Sequence, residues 1–84
     1  MISIIIPTKN EELNVLKNLK HLQRLRKSNH CEIILVDGES TDNTVNVASN
    51  LVDSIFITKP DRALQQNIGA SIARGDTLLF LHAD

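Results

Sequence analysis

The sequence predicts an α/β fold built on a parallel sheet, and three observations carry that prediction. Apolar runs such as Ile33-Ile34-Leu35-Val36 and Leu78-Leu79-Phe80-Leu81 show no alternation, the mark of strands buried on both faces. Strand-like and helix-like stretches alternate along the whole chain in the order βαβαβαβ. Two of the strands run into acidic groups, Asp37 and the His82-Ala83-Asp84 tripeptide. Ligands of open α/β sheets bind outside the carboxyl ends of the strands, so both acids belong to one rim.

The first strand is Ile2 to Ile6, closed by Pro7, which cannot donate to a ladder. Asn10-Glu11-Glu12 opens a helix, its acids near the positive N-terminal end. Val15, Leu16, Leu19 and Leu22 fall within an arc of about 120° at roughly 100° per residue. Leu13 and Leu25 flank that arc, and Lys17, Lys20, Arg24 and Lys27 lie mostly outside it. Glu32 to Asp37 is the second strand. A polar turn, Gly38 to Thr44, follows, in which Ser40 or Asp42 could cap a helix from Thr44 to Leu51. Ser54 to Ile57 is a short third strand, and Lys59-Pro60-Asp61 a turn. A third helix runs from Arg62 to Ala73 with Leu64, Ile68 and Ile72 on one stripe, and Gly75 stands as its C-cap. Thr77 to Leu81 is the fourth strand. The crossovers are expected to be right-handed, and a Rossmann-like order of 3-2-1-4 is the expectation, which leaves strands three and four at the edges.

Eighty-four residues make a single domain, 1–84. A chain this short buries only about 60–65% of its unfolded surface, so its core is thin. A hydrophobic fraction of 42% argues against disorder. Nine basic and ten acidic residues leave a net charge of -1, so charge marks no face for nucleic acid or a membrane. Phe56 and Phe80 are the only aromatics, too few to stack bases. Cys31 has no partner for a disulfide or a CxxC zinc site and reads as a small half-buried thiol. No apolar run approaches the roughly 20 residues of a membrane span, and the first strand is too short for a signal segment. A cytoplasmic chain with no integral membrane segment is the expectation. Open strand edges invite pairing with another copy, so a homo-oligomer is expected too.

Two nucleotide-binding motifs and the hydrolase nucleophile elbow are missing. No G-x-G-x-x-G follows the first strand, no G-x-x-x-x-G-K-[ST] occurs, and no Ser sits in G-x-S-x-G. The strand ends instead carry Pro7, Thr8, Asn10 and Glu12; Asp37, Gly38, Ser40 and Asp42; and His82 and Asp84. A carboxylate after strand two can accept from a ribose hydroxyl or a base imide. Asp84 and His82 suit a divalent cation that neutralises a diphosphate, which Arg62 and Lys59 could also approach. Each has a plainer reading: Asp37-Gly38 as a turn, Asp42 as a cap, Arg62 as a solvated first-turn residue, and His82 and Asp84 as a chain end.

Taken together, the blocks resemble a known family. Ile4-Ile5-Ile6-Pro7-Thr8-Lys9-Asn10-Glu11-Glu12 is similar to the opening strand and P-T-x-N-E loop of family 2 glycosyltransferases. Val36-Asp37-Gly38-Glu39-Ser40-Thr41-Asp42-Asn43-Thr44 is similar to their V-D-D/G-G-S-x-D-x-T segment. Asn67-Ile68-Gly69-Ala70, Ala73-Arg74-Gly75-Asp76 and Leu79-Phe80-Leu81-His82-Ala83-Asp84 follow in the family's order. Arg62-Ala63-Leu64-Gln65-Gln66-Asn67 with the final His-Ala-Asp most resembles the subgroup named for association with selenodomain proteins.

The resemblance implies the nucleotide-binding half of a GT-A fold and a nucleoside-diphosphate sugar as ligand. It implies donor contacts from Pro7, Thr8, Asn10, Glu12 and Asp37, and Arg62 near the phosphates. Asp84, with His82 in place of the first Asp of the usual D-x-D, would hold Mn²⁺ or Mg²⁺. Imidazole favours transition metals over Mg²⁺, which leaves the role of His82 open. Glu39 replaces a common glycine where the backbone turns; a positive φ there would cost about 1 kcal/mol. Such enzymes carry their acceptor site and general base further along, so the chain reads as a truncated donor-binding portion, inactive alone. The alternative is a non-catalytic nucleotide-binding or self-associating α/β module.

Overall fold

The computed structural model of the chain describes residues 1–83. It contains β1 (Ile2–Thr8), α1 (Glu12–Lys27), β2 (Cys31–Asp37), α2 (Thr44–Ala48), β3 (Ser54–Ile57), α3 (Arg62–Ile72) and β4 (Thr77–Phe80). The four strands form one parallel sheet in the order β3-β2-β1-β4, as expected from the sequence.

The central strands are buried on both faces because helices lie on both sides of them. Ile4, Ile6, Ile33 and Leu35 pack with Val15 and Leu19 of α1 and Ala48 of α2. Ile5, Ile34 and Val36 point the other way, against Ile68 and Ala70 of α3. Each such side chain contributes about 1.5–3 kcal/mol when fully buried. In α1 the apolar arc lies where the spacing placed it, with Leu13 and Leu25 left 81% and 51% exposed. Cys31 is buried and free.

Several local expectations are corrected. β1 extends through Pro7 to Thr8. Alternate β1 residues bond to opposite neighbours: the Thr8 carbonyl accepts from Gly38, and the Ile5 carbonyl from Leu81. Pro7 shares the Ile5 side, where β4 pairing ends opposite Ile5, so its missing N–H leaves no ladder bond unmade. β4 is not buried: Leu78, Leu79 and Phe80 are 41–48% exposed, because the helices pack principally on β1 and β2. α2 stops at Ala48, where the Leu51 N–H turns back to the Ala48 carbonyl in a tighter i to i−3 turn.

α3 buries Gln65 and Gly69 rather than the Leu64–Ile68–Ile72 stripe. A Cβ on Gly69 would collide with the Ile5 side chain, so glycine sets the distance from this helix to the sheet. Gly75 is not a left-handed cap, since no glycine has positive φ and α3 ends at an extended Ala73. A Cβ on Gly75 would sit 2.5 Å from the Met1 carbonyl oxygen and 2.7 Å from Ser3 Oγ.

Candidate functional site

The carboxyl ends of β1 and β2 meet over one buried acid. Asp37 stands in register with Thr8 and is 1% exposed. Its Oδ1 accepts from Thr8 Oγ1 (2.7 Å) and Ser40 Oγ (2.6 Å), and its Oδ2 from the Ser40 N–H (2.8 Å). A carboxylate offers about four acceptor positions, so these three bonds leave roughly one unused.

Gln65 anchors α3 beneath this rim. Its amide Nε2 donates to the carbonyls of Thr8 (3.0 Å) and Val36 (2.9 Å), while Oε1 accepts from the Asp61 N–H (3.1 Å). Asp61 caps the helix by accepting from the Leu64 N–H (3.1 Å). The start of α3 is thereby held against the ends of β1 and β2, with Arg62 beside the rim. The sequence reading passed over Gln65. A usable signal was there: glycine inside a helix marks close packing, and the residue four before Gly69 shares its face.

The two loops after β1 and β2 are clasped together. Asn10 has φ 53°, a left-handed conformation that asparagine tolerates. Its N–H donates to Ser40 Oγ (2.8 Å), and its Oδ1 accepts from the N–H groups of Thr41 (2.7 Å) and Asp42 (3.3 Å). Glu39, with φ 56°, lies in the same clasp, and its carbonyl accepts from Lys9 Nζ (2.9 Å). Asp42 joins two helix starts, accepting from the N–H groups of Glu12 (3.3 Å) and Thr44 (3.0 Å) and from the Thr44 hydroxyl. The Thr44 hydroxyl, chiefly, and these backbone donors hold the Asp42 carboxyl below its ordinary value. Ser40 does not cap α2 but completes the Asp37 shell.

Pro7, Thr8 and Arg62 line one cleft of about 140 Å³, together with Lys9, Glu11, Gln65 and Ala83. Asp37 does not line the cleft; it lies behind it, bonded to the Thr8 hydroxyl. Asn10 and Glu12 line a separate, shallower cleft with Asp42. The predicted donor residues are thus split: three line the cleft, one supports it from behind, and two line the neighbouring cleft across Glu11.

His82 follows β4, and its Nδ1 lies 2.7 Å from Arg62 Nη1. Asp84, the other predicted metal ligand, lies outside the described residues. Among the described residues no three His, Cys, Asp or Glu side chains converge as a metal site would require. One imidazole facing a guanidinium does not fit a cation, so the described residues do not make a metal site. No described helix is long and apolar enough to cross a membrane.

A "Glycosyl transferase family 2" profile matches residues 3–84. An uncharacterized glycosyltransferase of Haemophilus influenzae is 34% identical over 100% of this chain and 36% of its own length. The 4,4'-diaponeurosporenoate glycosyltransferase of Staphylococcus haemolyticus is 32% identical over 99% of this chain and 24% of its own length. The chain therefore spans only about a quarter to a third of these relatives. Among solved structures, S. aureus TarS 1-349 in complex with UDP superposes with a TM-score of 0.76 at 26% identity, over 99% of this chain and 27% of that one. Glucosyl-3-phosphoglycerate synthase from Mycobacterium tuberculosis, in complex with Mn²⁺, UDP and glucosyl-3-phosphoglycerate, gives 0.75 at 23% identity, over 100% of this chain and 33% of that one, a likeness of fold. With its parallel sheet, its rim of strand-end polar groups and a profile match across nearly its whole length, the chain belongs to glycosyl transferase family 2.

Proposed function

We propose that this chain is the donor-binding portion of a glycosyltransferase that moves a sugar from a nucleoside diphosphate to an acceptor hydroxyl. The observation that carries the reading is the cleft where Thr8 and the buried Asp37 adjoin the cationic Lys9 and Arg62. Hydroxyl and carboxylate acceptors suit a nucleoside, while a guanidinium and an ammonium suit its diphosphate. In the transfer, the bond from the anomeric carbon to the diphosphate oxygen breaks, one to the acceptor oxygen forms, and the proton of the acceptor hydroxyl passes to a general base. Arg62 and Lys9 stabilise charge on the departing diphosphate, and Gln65 keeps their frame rigid. Pro7, Asn10 and Glu12 belong to the same proposed donor site, Asn10 through the loop clasp it makes.

A divalent cation, Mn²⁺ or Mg²⁺, is part of the reading; the Mn²⁺ and UDP bound by the glucosyl-3-phosphoglycerate synthase support it. When bound, it would add positive charge at the diphosphate, with Asp84 among its ligands. The Arg62–Asn67 segment and the His82-Ala83-Asp84 ending support a place in the selenodomain-associated subgroup. A free, buried Cys31 accords with a reducing, cytoplasmic location.

Titration of the 84-residue chain with UDP, followed by amide NMR with and without Mg²⁺, tests the reading. Shifts centred on Thr8, Lys9, Ser40 and Arg62 are expected, stronger with metal. No shift at those amides under saturating UDP would overturn it.

The exposed β4 edge favours a second reading, a module that self-associates through its sheet. Leu78, Leu79 and Phe80 present apolar surface along an edge strand, which suits pairing with a second copy. Sedimentation at rising concentration separates the two, since a chain that stays monomeric leaves donor binding alone.

A further inference from the structure

We propose that His82 is a positioning residue for Arg62, holding its guanidinium toward the diphosphate, and not a metal ligand. The inference rests on the donor-binding reading above and adds a role for the residue that departs from D-x-D.

Arg62 Nη1 and His82 Nδ1 are 2.7 Å apart. A guanidinium carries only donors, so the imidazole Nδ1 must be the acceptor. A neutral imidazole that accepts at Nδ1 carries its proton on Nε2. One ring nitrogen is then occupied by Arg62 and the other by hydrogen, and no lone pair is left for a cation. The donor chemistry of this pair is therefore incompatible with metal ligation while the pair holds.

The same geometry has a use at the cleft. Arg62 is exposed and stands in the first turn of α3, where a long side chain samples many rotamers. Ordering such a side chain on binding weakens affinity, and a partner that holds it beforehand removes part of that loss. The His82 contact uses one of five N–H donors and leaves the others free for phosphate oxygens. Among the described lining residues, Arg62 and Lys9 set two positive charges against the Glu11 carboxylate, with Asp37 buried behind Thr8. The end of β4 thereby places, across the rim, the group that orients an anion-binding arginine on α3.

Two measurements on the 84-residue chain test this. Long-range ¹H–¹⁵N spectra of the His82 ring should show an Nε2–H tautomer whose nitrogen shifts do not move on adding Mg²⁺ or Zn²⁺. In UDP titrations, His82→Ala should weaken binding roughly three- to tenfold, with or without Mg²⁺. His82→Asn, whose Oδ1 replaces the Nδ1 acceptor, should restore most of the affinity, whereas His82→Gln should not. Arg62→Ala should weaken binding at least as much, and the double variant no further. A loss in His82→Ala seen only with Mg²⁺ would mean metal ligation and overturn the proposal. Additive losses would mean that His82 touches the ligand itself, and overturn it likewise. If wild type binds no UDP yet keeps the Nε2–H tautomer, the donor-binding reading and the diphosphate role both fall, and the Arg62 pairing stands. An Nδ1–H tautomer overturns the pairing whether or not UDP binds.

Discussion

The two ends of the β1–β2 ladder carry the same chemical pair for different ends. At the amino end, Ser3 lies in register with Glu32 and donates to it (2.6 Å); at the carboxyl end, Thr8 lies in register with Asp37 and donates to it (2.7 Å). Both acids are almost fully buried, 3% and 1% exposed. Glu32 is closed by a distant segment: it accepts from the Arg74 N–H (2.6 Å) and guanidinium (3.3 Å), while Gly75 N–H donates to Ser3 Oγ (2.8 Å). Beyond Thr8, Asp37 is closed by Ser40, three residues along its own turn. The amino end thus ties β4 into the sheet. The carboxyl end stays locally satisfied and leaves its rim open, with Lys9 and Arg62 beside it. A buried acid sealed by remote chain serves the fold, and one sealed by its own loop can serve a site.

Four substitutions would break or sharpen this contrast. Gly75→Ala should have the largest effect. Its Cβ meets the Met1 carbonyl and the Ser3 backbone, which cannot swing aside, so about 2–4 kcal/mol should be lost in urea unfolding. A loss below 1 kcal/mol would mean that the amino-end closure is loose. Next, Glu32→Gln should cost about 1–3 kcal/mol by orphaning buried donors, with UDP affinity unchanged. Asp37→Asn should cost about 1–2 kcal/mol and also weaken UDP binding, because its site adjoins the cleft. Equal effects of the two on UDP would erase the distinction between the ends.

The pH dependence of unfolding sharpens the same point. Burial pushes the Glu32 carboxyl up, but the hydrogen bonds from Ser3 and Arg74 outweigh it and hold the group below its ordinary 4.5. A depressed folded value adds stability above the unfolded value, and that stability drains away as pH falls through the folded one. Wild type should therefore lose stability as pH drops below about 4.5, and Glu32→Gln should lose less over the same range. Parallel pH profiles for the two would remove Glu32 as the cause. The smallest effect belongs to Glu39→Gly. Relief of a left-handed residue, about 1–2 kcal/mol, is offset by about 0.5–1 kcal/mol of glycine entropy, leaving a gain of roughly 0.5–1 kcal/mol. Thermal unfolding measures it, and a destabilised variant would show that the Glu39 side chain contributes to the clasp.

Residue patterns that depend on near neighbours were legible in the sequence. The apolar runs of β1 and β2 are recorded in near-consecutive residues, as are the Val15–Leu19 face and the turn chemistry at Asp61, so the elements and the fold class followed. Thr8, Asp37 and Arg62 were found as candidates because strand ends and helix starts are local features. Contacts made across the sheet were not legible. That Asn10 clasps the second loop, that Gln65 and not Leu64 faces the strands, and that Arg62 meets His82 all depend on residues 20 to 57 positions apart. The burial of the apolar β4 was overestimated because a strand's environment is set by what packs on it, and the helices sit over β1 and β2. Hydrophobic period and turn chemistry act within a few residues, so the sequence by itself determined the elements, their order and the rim. Hydrogen-bond partners and helix-to-sheet spacing are set by the approach of distant segments, so only the tertiary structure decided which rim residues point into the cleft.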